Sequence, residues 1–131
     1  MDKYKYTAEF ELKASNRMLF PYIATPSGLA EWFADDVKID PDKTYNFIWD
    51  DSPHYARLTA QRPNKSVRFD FLNENQEIME DAPYIEFKID LNEMTQSSFL
   101  RITDYSDTGN DEDLHSLWQN LVANLREIVG G

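Results

Sequence analysis

One long amphipathic helix closes a chain that otherwise reads as a succession of short strands, and this asymmetry limits the folds open to it. Leu114, Leu117, Trp118, Leu121, Leu125, Ile128 and Val129 recur at spacings of three, four and seven, the stripe of a helix with one apolar face. Asn110 or Asp111 stands where a cap is needed. Asp111, Glu112 and Asp113 suit the positive end of the helix dipole, Arg126 suits the negative end, and Gly130-Gly131 stops the helix.

The strand pattern begins at Lys3. Tyr4, Tyr6, Ala8, Phe10 and Leu12 alternate with Lys3, Lys5, Thr7, Glu9, Glu11 and Lys13, which is a half-buried strand. Ser15 caps a short helix over Met18 to Ile23 that Pro21 is expected to kink or shorten, and Pro26 or Ser27 opens a second one ending near Phe33. Five strands follow, at 44–49, 55–61, 67–72, 84–91 and 98–104, with a further edge strand around 37–39. The connections at 50–53, 62–65 and 92–95 are hairpin-sized, whereas 73–83 is a longer acidic loop. Strands joined by short turns make an antiparallel meander with one apolar face, which the helices must cover. The expected fold is therefore α+β: a curved antiparallel sheet of six to seven strands, with two short helices and one long C-terminal helix on its concave face. No repeat or linker interrupts residues 1–131, so one domain is expected.

Composition removes several function classes. Thirteen Lys and Arg against twenty-four Asp and Glu give a net charge of −11, spread along the chain, so nucleic acid and anionic membrane surfaces are poor partners. The chain has no cysteine, which excludes disulfides, thiolate metal sites and cysteine nucleophiles. Residues 1–6 carry no apolar signal-peptide core and no apolar run reaches the ~20 residues of a membrane span, so a cytoplasmic protein is expected.

The chemistry-bearing residues are sparse. His54 falls in a turn and His115 on the polar side of the last helix; Ser52 lies near His54, but no Gly-x-Ser-x-Gly elbow or oxyanion loop accompanies them. Asp35-Asp36, Asp50-Asp51 and Glu80-Asp81 read as solvated turns, because adjacent side chains point apart and rarely share an ion. No cofactor or metal is implied. By alternation Arg68 and Arg101 face outward, whereas Asp104 shares parity with Leu100 and Ile102 and points inward, where burial would raise its pKa.

The segments Thr25 to Val37, Phe47-Ile48-Trp49-Asp50, Ile102-Thr103-Asp104-Tyr105 and Leu117-Trp118 carry a resemblance. The chain resembles the START-like domains of the SRPBCC, or helix-grip, superfamily over its full length, near the branch of activator-of-heat-shock-protein-ATPase homologues. The resemblance implies a gap between the last helix and the sheet, and the function expected there is non-catalytic binding of a small hydrophobic or amphipathic ligand. Trp32, Phe33, Trp49, Phe69, Phe71, Phe87, Trp118 and Leu121 would form its walls and Asp104 its inward carboxyl. Two other readings are a protein-interaction module, as in the chaperone activators, and a cyclase-like enzyme using cavity acids such as Asp104. An exposed edge strand would also allow a homodimer.

Overall fold

The computed structural model describes residues 3–107 and 111–130. In chain order the elements are β1 (Tyr4–Leu12), α1 (Asn16–Ala24), α2 (Pro26–Trp32), β2 (Asp36–Ile39), β3 (Thr44–Trp49), β4 (Ser52–Arg62), β5 (Ser66–Phe71), β6 (Tyr84–Asn92), β7 (Ser97–Ser106) and α3 (Asp111–Val129). The strands form one antiparallel sheet in the order β1-β7-β6-β5-β4-β3-β2. Strands β2 to β7 are the expected meander, and β1 closes against β7 with Ala8 opposite Ile102 and Leu12 opposite Ser98. A register shift between Leu58 and Ala60 bends β4 and helps curve the sheet. The α+β arrangement of seven strands and three helices agrees with the sequence pattern.

Turn chemistry corrects one boundary. Asp50 and Asp51 both have positive φ, 50° and 63°, so the β3–β4 connection is a two-residue hairpin of the primed kind that matches strand twist. Strand β4 therefore starts at Ser52, and His54 lies in a strand opposite Phe47 rather than in a turn. Pro53 disguises this in the sequence. It is tolerated because the β5 pairing reaches only to Ala56, so its missing N–H breaks no ladder bond.

The two short helices form a tight corner. Ser15 Oγ accepts from Met18 N at 3.1 Å and caps α1, while Thr25 Oγ1 accepts from Gly28 N at 3.0 Å and caps α2. Thr25 also donates twice to the Pro21 carbonyl, from its N at 3.1 Å and its hydroxyl at 2.7 Å. Helix α1 is not shortened at Pro21; it runs on to Ala24, with Pro21 on its solvent side. The corner exists because residue 28 is glycine: a Cβ there would lie 2.1 Å from the Pro21 carbonyl oxygen.

Helix α3 buries Leu114, Trp118, Val122 and Leu125 against the sheet. The expected stripe is thus rotated. Leu117 is 49% exposed and Ile128 38% exposed, while Val122, outside that stripe, is fully buried. Residues 114, 118, 122 and 125 sit on one line, and Leu117 falls about 100° to the side of Trp118. Both ends of α3 are tied to β1. Tyr4 and Tyr6 meet Asp111 and His115 near its start, the Tyr6 hydroxyl lying 2.8 Å from His115 Nδ1, and Arg126 Nη2 donates to the Glu11 carbonyl at 3.0 Å near its end. Asn110, one of the two expected caps, lies outside the described residues.

Candidate functional site

The corner places Trp32 at the end of α2 and Phe33 just after it, facing α3 across the open end of the sheet. Phe33 is the hub of the ring cluster. It stacks on Trp118 with centroids 5.6 Å apart and planes at 15°, and meets Trp49 edge-on at 5.1 Å. It also meets Phe47 and Phe87 edge-on, at 5.3 and 5.6 Å. Beneath it, Phe47, Phe69 and Phe87 are fully buried, so the deep interior is filled by side chains.

What remains is a cleft of about 650 Å³ outside this cluster, between α2, the β3–β4 turn and α3. Trp32, Phe33, Trp49, Trp118 and Leu121 form its walls, with Asp104 at its floor. A neighbouring recess of about 550 Å³ runs on past Phe71 and His54. Trp49, Ile85, Asp104 and Leu117 border both spaces, with Leu117 half-exposed between them. Of the wall residues expected from sequence, Phe71 borders only the recess, and Phe69 and Phe87 border neither space. Those two are core under the cleft.

Leu117, Ile85 and Ala30 border the cleft but are absent from the expected wall. Ile85 was within reach, since it shares the parity of Phe87 and Ile89 on β6, and all three are buried. Leu117 belongs to the apolar stripe, but its flank position depends on how α3 is rotated.

The polar groups of the cleft are arranged with one bias. Each of the three indole N–H groups donates to the protein itself: Trp32 Nε1 to the Tyr22 carbonyl at 2.8 Å, Trp49 Nε1 to the Phe33 carbonyl at 2.8 Å, and Trp118 Nε1 to Asp104 Oδ2 at 2.9 Å. His54 Nδ1 lies 3.1 Å from the Ser52 carbonyl and 3.3 Å from that of Phe47, and carbonyls can only accept. A neutral His54 thus donates from Nδ1 and keeps Nε2 as an acceptor. Asp104 is 8% exposed. Burial pushes its carboxyl pKa up, opposed by the hydrogen bonds from Trp118 and Ser106. Around the rim stand the exposed carboxylates of Glu31, Asp35 and Asp50, and Asp35 Oδ2 accepts from Asp50 N at 2.9 Å, pinning the hairpin to the loop after α2.

The outward residues lie where alternation puts them. Arg68 pairs with Asp70 at 2.9 Å and lies 3.7 Å over the Tyr84 ring, and Arg101 reaches Glu9 at 3.2 Å. Among the described residues, no three His, Cys, Asp or Glu side chains are grouped so as to hold a metal ion. Among the described residues no helix is long and apolar enough to cross a membrane.

Comparisons with known proteins agree with this architecture. The family model of the START-like superfamily domain matches residues 1–131. Solved structures share the fold at low identity. The solution structure of the Aha1 dimer from Colwellia psychrerythraea superposes with a TM-score of 0.73 at 20% identity over 96% of each chain. Protein MLL2253 from Mesorhizobium loti gives 0.74 at 14% identity over 97% of each chain. Protein BH1534 from Bacillus halodurans gives 0.71 at 19% identity, over 98% of this chain and 99% of its own. Among curated protein sequences none matches the chain.

Proposed function

The chain belongs to the START-like superfamily, and from that premise we propose that it is a non-catalytic binding domain for a small hydrophobic or amphipathic molecule. The ligand seats in the cleft between α3, α2 and the β3–β4 turn. The observation that carries this is the cleft itself: about 650 Å³ walled by Trp32, Phe33, Trp49, Trp118 and Leu121, within the size range of small-molecule sites.

The filled interior sets the form of binding. A ligand does not replace a void deep in the sheet; it lies in an open cleft against the faces of rings already packed on one another. Burying ~200 Å² of its apolar surface there contributes about 5 kcal/mol before the cost of immobilising it. Asp104 is the buried carboxyl of the cleft, and its hydrogen bonds to Trp118 and Ser106 favour a structural or orienting role over proton transfer.

The test is a titration of the intrinsic tryptophan emission with 1-decanol, a neutral probe, in the native chain and in Ala30→Phe. Ala30 borders the cleft, and a phenyl ring there takes up part of its volume. Saturable emission change in the native chain, lost in Ala30→Phe, supports the reading. No saturable change, or one unaffected by the substitution, overturns it.

A further inference from the structure

We infer that the molecule taken up by the cleft carries a cationic, hydrogen-bond-donating head, such as an alkylammonium group, and that carboxylate-headed lipids are rejected. This rests on the binding reading above and adds the chemistry of the ligand's polar end.

The inference comes from what the cleft offers a polar group. Apart from the Asn124 amide its side-chain donors are spent inward, since the three indole N–H groups are held by Tyr22, Phe33 and Asp104. Its acceptors outnumber them: Asp104, which already accepts from Trp118 through Oδ2, borders the cleft together with the exposed Glu31, Asp35 and Asp50. The adjoining recess adds Glu74 and the acceptor nitrogen of a neutral His54. Among the described residues no Lys or Arg borders either space. An anionic head would find no countercharge and, in the cleft, only the Asn124 amide as a side-chain donor, and would meet like charges on a chain of net charge −11. An ammonium head brings what is missing: N–H donors and a positive charge for these carboxylates. The indole faces add to this, because ring faces attract cations and repel anions.

Asp104 makes the fit more specific than general acidity does. It is the one carboxylate of the group that is buried, it borders both spaces, and its pKa is held up by burial. A cation seated beside it favours the ionised form.

The experiment compares four probes with the same ten-carbon chain below their micelle concentrations: decylammonium, decyltrimethylammonium, 1-decanol and decanoate. Affinities are read by calorimetry and tryptophan emission, in the native chain, in the triple variant Glu31→Gln, Asp50→Asn, Asp104→Asn, and in Ala30→Phe. Asparagine suits the positive φ of residue 50, so the turn is kept. Decylammonium is expected to bind at least tenfold more tightly than decanoate. Decyltrimethylammonium, which has the charge without the donors, should fall between decylammonium and decanol, and the triple variant should lose most of the ordering. Ala30→Phe keeps the net charge and should weaken binding of all four probes, which separates the cleft from attraction to the acidic surface. Decanoate binding as tightly as decylammonium, or a preference that survives the triple variant, overturns the head-group inference while the binding reading stands. Failure of all four probes, decanol included, overturns the binding reading itself.

Discussion

Replacing Gly28 by alanine tests the α1–α2 corner on which the cleft depends, and its sign is decisive. On an open helical surface Gly→Ala stabilises by about 1 kcal/mol, because alanine has the better helix propensity. Here the new Cβ would lie 2.1 Å from the Pro21 oxygen and 2.7 Å from both the Pro21 carbonyl carbon and the Tyr22 Cα, all backbone atoms that cannot rotate aside. Relief requires α2 to move off α1 by about an ångström. That motion loosens the two hydrogen bonds from Thr25 to the Pro21 carbonyl, worth ~1 kcal/mol each. It also unpacks Leu29 and Trp32, now 0% and 4% exposed, at an overpacking cost of ~1–3 kcal/mol. Set against the propensity gain, the net loss is about 2–4 kcal/mol. With a urea slope of ~2 kcal/mol/M, the unfolding midpoint falls by ~1–2 M. Urea titration followed by far-UV circular dichroism measures it, with Ser27→Ala as the neighbouring control, residue 27 being exposed. A midpoint for Gly28→Ala equal to or above that of the native chain would refute the close approach.

Three further outcomes follow from named contacts. Because burial raises the pKa of Asp104, its contribution to stability is fully present below the ordinary value of 3.8 and is lost as pH rises through the folded value; Asp104→Asn should therefore gain on the native chain between pH 3.5 and 7.5, and urea midpoints with a pH-independent gap would contradict this. Trp118→Phe removes the N–H that donates to Asp104 and should cost about 2–3 kcal/mol of stability at pH 7, against a null effect if the hydrogen bond is incidental. Ser97 donates the principal hydrogen bond that lowers the Glu11 pKa, so Ser97→Ala should move the Glu11 carboxyl back toward 4.5 in a carbon-detected NMR titration.

The fold was legible because its strands are half-buried and alternate, as β1 shows from Tyr4 to Leu12, and because a nineteen-residue amphipathic helix has no other reading. The inward parity of Asp104 was legible for the same reason. Other features depend on geometry that periodicity does not encode. The Asp50-Asp51 turn adopts positive φ without glycine, so Pro53 and His54 read as loop although they lie in β4. The phase of α3 exposes Leu117 and buries Val122, which lie about 140° apart around the helix. The indole partners lie ten to sixteen residues away, and they decide that the cleft has acceptors to spare and few donors. Sequence placed Phe69 and Phe87 correctly on the inner face, but only packing could assign them to the core under the cleft.

Native mass spectrometry of the chain, after equilibration with a small-molecule extract of its host, reads directly whether the cleft takes up a molecule. One adduct per chain is expected, released on denaturation and depleted in Ala30→Phe, whose ring takes up part of the cleft. The bare chain mass before and after equilibration, or adducts that persist unchanged in Ala30→Phe, would contradict it.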